Sequence, residues 1–395
     1  MSESRFLGEP MAGPNRGGTE DGPRDLLRER EHPDMMVPPV TDSGTLPNLR
    51  FSLSDTHVKL CDGGWTREVT EREMPAARTI AGVNMRLDPG QSMTGVRELH
   101  WHLENEWAYM ISGSARVTIL DLDGNMHVDD VPAGDLWFFP TGLPHSIQAL
   151  EHGCEFLLAF DDGAFSEEYT LLLTDFLSHM PPEVIAKNFG WSAETVSLLP
   201  KNELYIFPAS VPGPLSEDLP PGVEPGSGSP YTFHMRQANP VECPGGRVTV
   251  IDSSSFPITT ISCAVVEVDP GGMRELHWHP NNDEWQLFLE GRARMTVFNT
   301  GSVARTFNYL AGDVGTVPRA TGHYVENIGN TRMRYLALFA SPEFQEISLQ
   351  QWLAKLPPAL VKAHLNLPDD VIAALKKDRQ LVVAGTPPAD QEQSS

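Results

Sequence analysis

The hexapeptide Arg97-Glu98-Leu99-His100-Trp101-His102 occurs a second time as Arg274-Glu275-Leu276-His277-Trp278-His279. Other segments recur around it in the same order, each between about 176 and 181 residues after its first copy. They are Asp88–Gly90 with Asp269–Gly271, Gly113–Thr118 with Gly291–Thr296, and Gly134–Leu136 with Gly312–Val314. A spacing this long and this constant indicates a duplicated domain rather than a short-period solenoid.

Each copy is predicted to be rich in β-strand. The run Ala81–Leu87 ends at an Asp-Pro-Gly turn, Trp107–Ile111 stops at Gly113, and Ala115–Leu120 alternates as a half-buried strand does. The second copy repeats all three runs. Many short strands between Gly and Pro turns indicate a jelly-roll barrel or sandwich. The doubled Pro-Pro segments predict a small helical appendage after each barrel, at Leu177–Ala186 and Leu353–Lys362.

The repeat also predicts the domain boundaries. We expect an extended N-terminal arm over residues 1–50, a first domain over 51–207, a Pro/Gly-rich linker over 208–230, a second domain over 231–384 and a disordered tail over 385–395. The length of 395 residues is ample for two domains with sizeable cores.

Composition excludes several classes of partner. With 29 basic and 53 acidic residues the formal charge is −24, which argues against nucleic acid and anionic membrane as partners. The sequence has no secretory signal and no apolar run long enough for a transmembrane helix. The cysteines show no C-x-x-C spacing and no dense framework, which fits a reducing compartment. We therefore expect a cytoplasmic protein.

Three histidines and one glutamate recur in register in both copies. Side chains alternate along a strand, so His100 and His102 point to the same face. Glu106 follows four residues later, and His145 lies 39 residues beyond Glu106, enough to cross two or three strands and return. The second copy supplies His277, His279, Glu284 and His323, again with 39 residues between the last two.

Three imidazoles and one carboxylate form a shell that suits Mn, Fe, Ni or Zn, whereas the absence of thiolate argues against copper(I) and iron–sulfur clusters. An isolated histidine on an apolar face is usually structural, but two complete sets in register predict two metal sites. Four protein ligands in an octahedral site leave two positions for substrate or water. Whether both sites catalyse stays open, because a bound metal can also serve to stabilise a fold.

The sequence resembles the cupin superfamily and, within it, the bicupin oxalate decarboxylases, from about residue 34 to about residue 383. Besides the two hexapeptides, the matching motifs are Pro33–Met35, Val37–Pro39, Ser54–His57, Asp135–Pro140, Leu143–Ser146 and Gly322–Asn327. The resemblance implies a mainly β protein of two tandem cupin barrels with manganese in each barrel. It also implies dioxygen as co-catalyst and the conversion of oxalate to formate and carbon dioxide.

The resemblance implies a chemical route as well. Direct cleavage of the oxalate C–C bond would leave a very unfavourable formyl carbanion. In the family, dioxygen and redox-active manganese withdraw one electron first, which redox-silent Zn²⁺ could not do. Such a site needs a cation near the substrate, a proton donor and a gate.

Arg97 and Arg274 precede the first ligand of each set by three residues. Strict alternation along a strand would place them on the face opposite His100 and His277. In the family, however, this arginine lines the substrate site, and the resemblance assigns Arg97 to that role. Its guanidinium would supply the local positive charge that an acidic protein needs for a dicarboxylate.

The segment Phe160–Thr170 is longer than its counterpart Phe339–Ile347. The resemblance implies a mobile lid here, carrying Ser166 and the proton donor Glu167. In an extended lid the neighbouring Glu168 would point away from the site. Two features depart from the family pattern: Glu168-Tyr169-Thr170 replaces smaller or uncharged residues, and four extra residues lie within Gln91–Val96 near the expected mouth.

The second barrel departs from the family in one position. Relatives carry a glutamate on the strand after the last histidine ligand, and Ala337 stands there in this sequence. Alanine cannot transfer a proton, so catalysis is predicted mainly at the first site. The second is predicted to be structural or at most an electron-transfer partner.

The fold is compatible with two functions other than decarboxylation. Proteins of the same fold oxidise oxalate to carbon dioxide and hydrogen peroxide, and seed-storage bicupins use their barrels for packing alone. Glu167 at the lid position favours decarboxylation, and the complete ligand sets argue against a storage protein. The ligands do not distinguish manganese from iron. The resemblance implies a homo-oligomer, either a trimer or a hexamer built of two trimers.

Overall fold

The computed structural model describes residues 25–35, 37–223 and 228–387. It is mainly β, and its described residues divide into two compact units. One unit, the first barrel, comprises residues 55–238 and 256–260. The other, the second barrel, comprises residues 239–255, residues 261–387 and the described part of the chain before residue 55. The predicted fold class is confirmed.

The strands are short in most cases and follow one another closely. They are β1 (Arg50–Ser52), β2 (Lys59–Cys61), β3 (Gly64–Val69), β4 (Ala81–Leu87), β5 (Met93–Trp101), β6 (Glu106–Leu120), β7 (Met126–Pro132), β8 (Leu136–Phe139), β9 (His145–Phe160), β10 (Leu171–Leu172), β11 (Ile206–Ser210), β12 (Thr232–Phe233), β13 (Val241–Cys243), β14 (Gly246–Ile251), β15 (Ser262–Val268), β16 (Met273–Trp278), β17 (Glu284–Glu290), β18 (Arg292–Asn299), β19 (Val303–Leu310), β20 (Asp313–Val317), β21 (Gly322–Asn327), β22 (Met333–Phe339), β23 (Ile347–Ser348) and β24 (Val382–Val383).

The helices of the described residues follow the barrels, apart from one that precedes them and one near residue 215. They are α1 (Leu26–Glu31), α2 (Leu173–Ser178), α3 (Pro182–Phe189), α4 (Ala193–Ser197), α5 (Leu215–Asp218), α6 (Leu349–Lys355), α7 (Pro358–Leu365) and α8 (Asp369–Ala373). Short 3-10 turns cover Pro33–Met35, Leu53–Asp55, Glu167–Tyr169 and Met235–Gln237. No described helix is long and apolar enough to cross a membrane.

The first barrel is built around two long strands. β6 and β9 pair along most of their length, and β4, β3 and β2 continue the sheet on one side of β9. β5 pairs with β9, β10 and β11 and carries the first hexapeptide. The interior is filled by buried aliphatic and aromatic side chains, among them Trp137, Phe139, Phe156 and Phe160.

The two strands predicted on either side of Gly113 form one strand, β6. Its pairing with β9 shifts register between Met110 and Ser112 and again between Gly113 and Ala115. Gly113 has φ +72°, a conformation that residues with a Cβ avoid. In the second barrel the equivalent Gly291, with φ +83°, does separate two strands, β17 and β18. The glycine therefore marks the same bend in both copies. The strand is interrupted there in the second barrel and continuous in the first.

The second barrel has two sheets. One has the order β1-β20-β17-β22-β15-β14-β13, and the other β19-β18-β21-β16-β23, with β24 also pairing with β16. β16 carries the second hexapeptide, as β5 carries the first. The rings of Phe288 and Tyr309 stack at 4.4 Å in its core.

Part of the predicted N-terminal arm belongs to the second barrel. β1 pairs antiparallel with β20, and the Asp42 carboxylate accepts hydrogen bonds from the backbone and the hydroxyl of Thr306 at 2.9 and 2.8 Å. Residues 26–31 are helical rather than extended. Residues 1–24 and 36 of the arm, 224–227 of the linker and 388–395 of the tail lie outside the described residues. The boundaries given in the sequence analysis remain predictions.

We predict that Gly113→Ala destabilises the first barrel more than Gly124→Ala does. Both glycines have positive φ, +72° and +80°, which costs a residue with a Cβ about 1–2 kcal/mol. A Cβ on Gly113 would also lie 2.0 Å from the carbonyl oxygen of Gly153, whereas a Cβ on Gly124 would meet nothing within 4 Å. Thermal unfolding of both variants tests this, and equal losses of melting temperature would contradict the packing argument.

Candidate metal centres

The first set of predicted ligands converges inside the first barrel. His100 lies on β5 and His102 just after its end, while Glu106 and His145 are the first residues of β6 and β9. Their ligand atoms all lie within 4.8 Å of one another, and all four residues are buried. Three neighbouring strand ends thus bring together ligands that are up to 45 positions apart in the sequence.

Hydrogen bonds to the other ring nitrogen orient two of these imidazoles. The Nδ1 atoms of His100 and His145 lie 2.6 and 2.8 Å from the backbone oxygens of Glu98 and Leu143. A ring that donates from Nδ1 presents the lone pair of Nε2, as ligating histidines commonly do. The Glu106 carboxylate is held by the indole N–H of Trp137, which donates to Oε1 at 2.9 Å.

The buried atoms that face one another in this set lack hydrogen-bond partners in the described chain. They are Nε2 of His102, Nε2 of His145 and Oε2 of Glu106, with the carboxylate oxygen 3.2 and 3.4 Å from the two nitrogens. Buried polar atoms are almost always satisfied. Burial lowers the pKa of His100 and His102, which keeps the imidazoles neutral. A divalent metal ion fits this donor set and would satisfy all of it.

The second set has the same arrangement in the second barrel. The ligand atoms of His277, His279, Glu284 and His323 also lie within 4.8 Å of one another and are buried. Nδ1 of His277 lies 2.6 Å from the backbone oxygen of Glu275, as in the first barrel. Gln286, rather than a tryptophan, holds the glutamate by donating to its Oε1 at 2.8 Å. Both predicted metal sites are therefore assembled.

A β-bulge places the arginine of each hexapeptide on the ligand side. The pairing of β5 with β9 shifts register between Arg97 and His100, and the pairing of β16 with β21 shifts between Arg274 and His277. The extra residue reverses the alternation that would otherwise direct the arginine to the opposite face. Arg97 is 1% exposed, and the proximity of its charge contributes to lowering the pKa of His100, after burial.

Arg97 and Glu167 form a buried ion pair beside the first metal site. Nη2 of Arg97 donates to Oε2 of Glu167 at 3.0 Å, and the hydroxyl of Tyr205 donates to the same oxygen at 2.5 Å. The guanidinium also lies 4.1 Å from the centre of the Tyr205 ring. Burial and the Glu167 charge raise the pKa of Tyr205, so the phenol keeps its proton. Nε of Arg97 and Oε1 of Glu167 are buried and make no hydrogen bond within the described chain.

The predicted lid residues lie on a short turn rather than in an extended segment. Glu167–Tyr169 is a 3-10 turn capped by Ser166, whose hydroxyl oxygen accepts from the Glu168 N–H at 3.3 Å. Glu167 is 7% exposed and points to Arg97, whereas Glu168 is exposed and Tyr169 is 78% exposed. The bulky tyrosine therefore lies outside the site. The premise of an extended lid is wrong, because the serine cap favours a helical turn.

The extra residues within Gln91–Val96 lengthen a strand. β5 begins at Met93, and its first five residues pair in order with β11, from Met93 opposite Ser210 to Arg97 opposite Ile206.

A cavity of about 500 Å³ is lined by Glu167 and Tyr205, together with charged residues that include Arg67 and Arg72. Glu167 thus contacts Arg97 and also lines this cavity.

Sequence reasoning missed Tyr205, Glu98 and a carboxylate of the second barrel, Glu346. Glu98 and its counterpart Glu275 each receive a backbone N–H from the chain segment after the helices, at Tyr205 and Leu381. Both of these residues have positive φ, +58° and +52°, an uncommon conformation for a side chain with a Cβ. The repetition of the glutamate within the hexapeptide was the available signal for it. Nothing in the local sequence indicates Glu346.

Ala337 lies on β22 opposite Gln286 of β17 and is buried, so no acid is present at this position. The second barrel nevertheless holds a carboxylate near its metal ligands. Nη2 of Arg274 donates to Oε2 of Glu346, in a contact that parallels the pair of Arg97 with Glu167. The second barrel therefore has no acid at Ala337, but Glu346 places a carboxylate beside Arg274.

The family model for cupins matches residues 53–197 and 234–372. The oxalate decarboxylase OxdC of Bacillus subtilis is 53% identical over 384 residues, which is 97% of this chain and 98% of that protein. The chain belongs to the bicupin oxalate decarboxylases. A probable oxalate decarboxylase of the fungus Arthroderma benhamiae is 38% identical over 95% of this chain and 93% of its own length.

Solved structures agree with this family. A structure of the Bacillus subtilis oxalate decarboxylase, from work on its Mn(II) centres, has a TM-score of 0.90 and 53% identity. It covers 96% of this chain and all of its own chain. The resemblance proposed from the motifs is thereby confirmed, and the manganese expected at the two His₃Glu sets agrees with the Mn(II) centres of that relative.

We predict that the protein binds close to two manganese ions per chain. His100→Ala and His277→Ala should each lose close to one ion, because each removes a ligand from a different set. Elemental analysis of the purified proteins measures this. Loss of both ions in either variant, or a wild-type content near one, would contradict two independent sites.

Proposed function

We propose that this chain converts oxalate to formate and carbon dioxide, and that the reaction takes place at the metal site of the first barrel. The family membership over nearly the whole chain supports the reaction. The observation that carries the choice of site is the buried arrangement of Arg97, Glu167 and Tyr205 beside the first ligand set. Bound manganese, together with dioxygen, supplies the one-electron chemistry that the reaction needs.

Arg97 is the residue that binds substrate in this proposal. It is the buried cation next to the ligands, and two of its donors are already fixed, Nη1 on the backbone oxygen of Tyr205 at 3.3 Å and Nη2 on Glu167. A carboxylate of oxalate would take the place of the Glu167 carboxylate on the guanidinium, since the two groups are chemically alike. Charge-assisted contacts of this kind provide both affinity and orientation.

Glu167 is the proton donor in this proposal. Cleavage of oxalate releases one carbon as carbon dioxide, and the other must gain one proton to become formate, with no net change in electron count. Once substrate occupies Arg97, the Glu167 carboxyl is released from the guanidinium and is the acidic group next to the bound substrate. While Glu167 is paired with Arg97, the Tyr205 phenol donates to the same carboxylate at 2.5 Å and orients it.

We also propose that the chain is cytoplasmic and forms a homo-oligomer, a trimer or a hexamer. Its four cysteines are all free, which suits a reducing compartment. The oligomer rests on the family resemblance alone. Light scattering on the purified protein measures it directly.

We predict that Glu167→Ala keeps its manganese, loses formate production by about 10²-fold or more and turns over residual oxalate with more hydrogen peroxide. Without the acid, the carbon left after loss of carbon dioxide is oxidised before it is protonated. The measurement is the ratio of formate to peroxide at matched manganese content. It thereby separates a decarboxylase from an oxalate oxidase.

Glu168→Ala is the matched control for this experiment. It removes the same charge from the neighbouring position of the same turn, but the Glu168 side chain is exposed and should leave the ratio unchanged. If Glu168→Ala lost formate while Glu167→Ala made it normally, the assignment of the proton donor would be wrong by one residue.

We predict that activity depends more strongly on Arg97 than on Arg274. Lysine cannot make the paired contacts of a guanidinium, so Arg97→Lys should lose most turnover, and Arg274→Lys should retain more of it. Steady-state rates at equal metal content and equal melting temperature make the comparison. Equal losses in the two variants would refute a single catalytic site in the first barrel.

A further inference from the structure

Arg274 of the second barrel, the counterpart of the substrate-binding Arg97, already pairs with a carboxylate of its own chain. The side chains of Arg274 and Glu346 are 3% and 1% exposed, and Nη2 of Arg274 donates to Oε2 of Glu346. The second oxygen of the same carboxylate, Oε1, accepts from Nη1 of Arg379 at 3.2 Å. Glu346 is therefore held between two guanidinium groups.

The contact repeats the one in the first barrel, but it comes from a different chain position. In both barrels Nη1 of the arginine donates to a backbone oxygen, that of Tyr205 or Leu381, and Nη2 donates to a carboxylate. Leu172 pairs with His100 as Ser348 pairs with His277. Counted back from these residues, Glu346 is at the position of Thr170 and not at that of Glu167.

A shorter loop explains this difference. Phe165 and Phe344 lie against the second histidine of their sites, at ring distances of 5.7 and 5.5 Å. From Phe165 to Leu172 the chain advances seven positions, but from Phe344 to Ser348 only four. The second barrel therefore has no equivalent of the turn that carries Glu167.

The short loop is held in place by contacts on both sides of Glu346. The backbone oxygen of Gln345 lies 2.7 Å from Nδ1 of the ligand His279. Ser348, two residues after Glu346, pairs with β16 and donates from its hydroxyl to Glu275 at 2.7 Å. These contacts restrain the loop, so it cannot open as a longer lid without such contacts can.

We propose that Glu346, clamped by Arg274 and Arg379, acts as an internal anion that excludes small carboxylates, oxalate and formate included, from the second metal site. The inference rests on the proposed function only in taking manganese to fill both sites. It assigns Glu346 a role in specificity, confining substrate to the first barrel.

The two carboxylates differ in what their displacement would cost. Glu167 has one cation and one phenol as partners, leaves Oε1 unpartnered and borders a cavity of about 500 Å³. Both oxygens of Glu346 accept from cations, one from Arg274 and the other from Arg379. Leu381 takes the place of Tyr205, because its backbone oxygen accepts from Nη1 of Arg274 as that of Tyr205 accepts from Arg97. An entering anion would have to break a buried pair between opposite charges, which is strongly unfavourable.

The test uses the full-length protein loaded with manganese and follows the electron paramagnetic resonance spectrum of Mn(II) as formate is added without dioxygen. In the wild type, one of the two manganese ions should respond. In Glu346→Gln, which keeps the size of the side chain but removes its charge, both should respond. We expect the apparent affinity of the second ion for formate to rise about tenfold or more.

Three further variants make the result interpretable. Glu343→Gln removes the same charge from an exposed position of the same loop and should behave as the wild type. Arg379 is 46% exposed, so Arg379→Gln tests one half of the clamp in a variant that folds, and it should give a partial response. His100→Ala, with metal only in the second site, identifies the responding signal.

Two outcomes would overturn the proposal. One is a wild-type protein in which both ions respond to formate. The other is a Glu346→Gln protein with two ions and a wild-type melting temperature in which the second ion stays unresponsive. Neither depends on turnover, so a failure of the proposed oxalate reaction would be recognised separately, as absent formate production with an unchanged formate titration.

Discussion

Each barrel is organised around a buried glutamate carboxylate that lies against two imidazoles of its own ligand set. In the first barrel Oε2 of Glu106 and the Nε2 atoms of His102 and His145 are all buried and unsatisfied by the described chain. Leaving such groups unpaired costs about 1–3 kcal/mol for each one. The strand ends, the Trp137 contact and the Nδ1 contacts fix these atoms in place, so a metal ion is a structural requirement of this interior as well as a reagent.

A second constraint follows from the first, because a buried metal site with a positive neighbour needs that neighbour neutralised. Arg97 is brought to the ligand side by the bulge in β5, which leaves a guanidinium in the interior of the barrel. A buried charge persists only when it is paired, and removing one partner of such a pair costs about 3–5 kcal/mol. Glu167 provides that partner, which links closure of the turn to the charge state of the site.

The sequence predicted the parts of the site that depend on short segments. His100, His102 and Glu106 are close in the chain, and the conserved interval to His145 within the repeat locates the last ligand without any knowledge of the sheet. The direction of Arg97 was not predictable from alternation, because the bulge depends on pairing with β9, about 50 residues away. Tyr205 lies 108 residues from Arg97, and no local pattern indicates such a contact. Glu167 was found through the family resemblance, and its inward direction follows from the turn rather than from an extended strand.

The two barrels build different surroundings around the same ligand set. Both keep the ligands, the bulge and the arginine, so duplication alone would give two equivalent sites. The difference lies in three residues of loop length and in two side chains at the end of the domain, where Tyr205 and Leu381 occupy the same place. A carboxylate neutralises the arginine in both cases, as the burial of a guanidinium requires. In the first barrel that carboxylate is carried on a separate turn with a phenol partner, so its position can change with substrate. In the second it is held between two cations on a loop that contacts a metal ligand, and this difference is the basis for proposing that the first site admits substrate and the second excludes it.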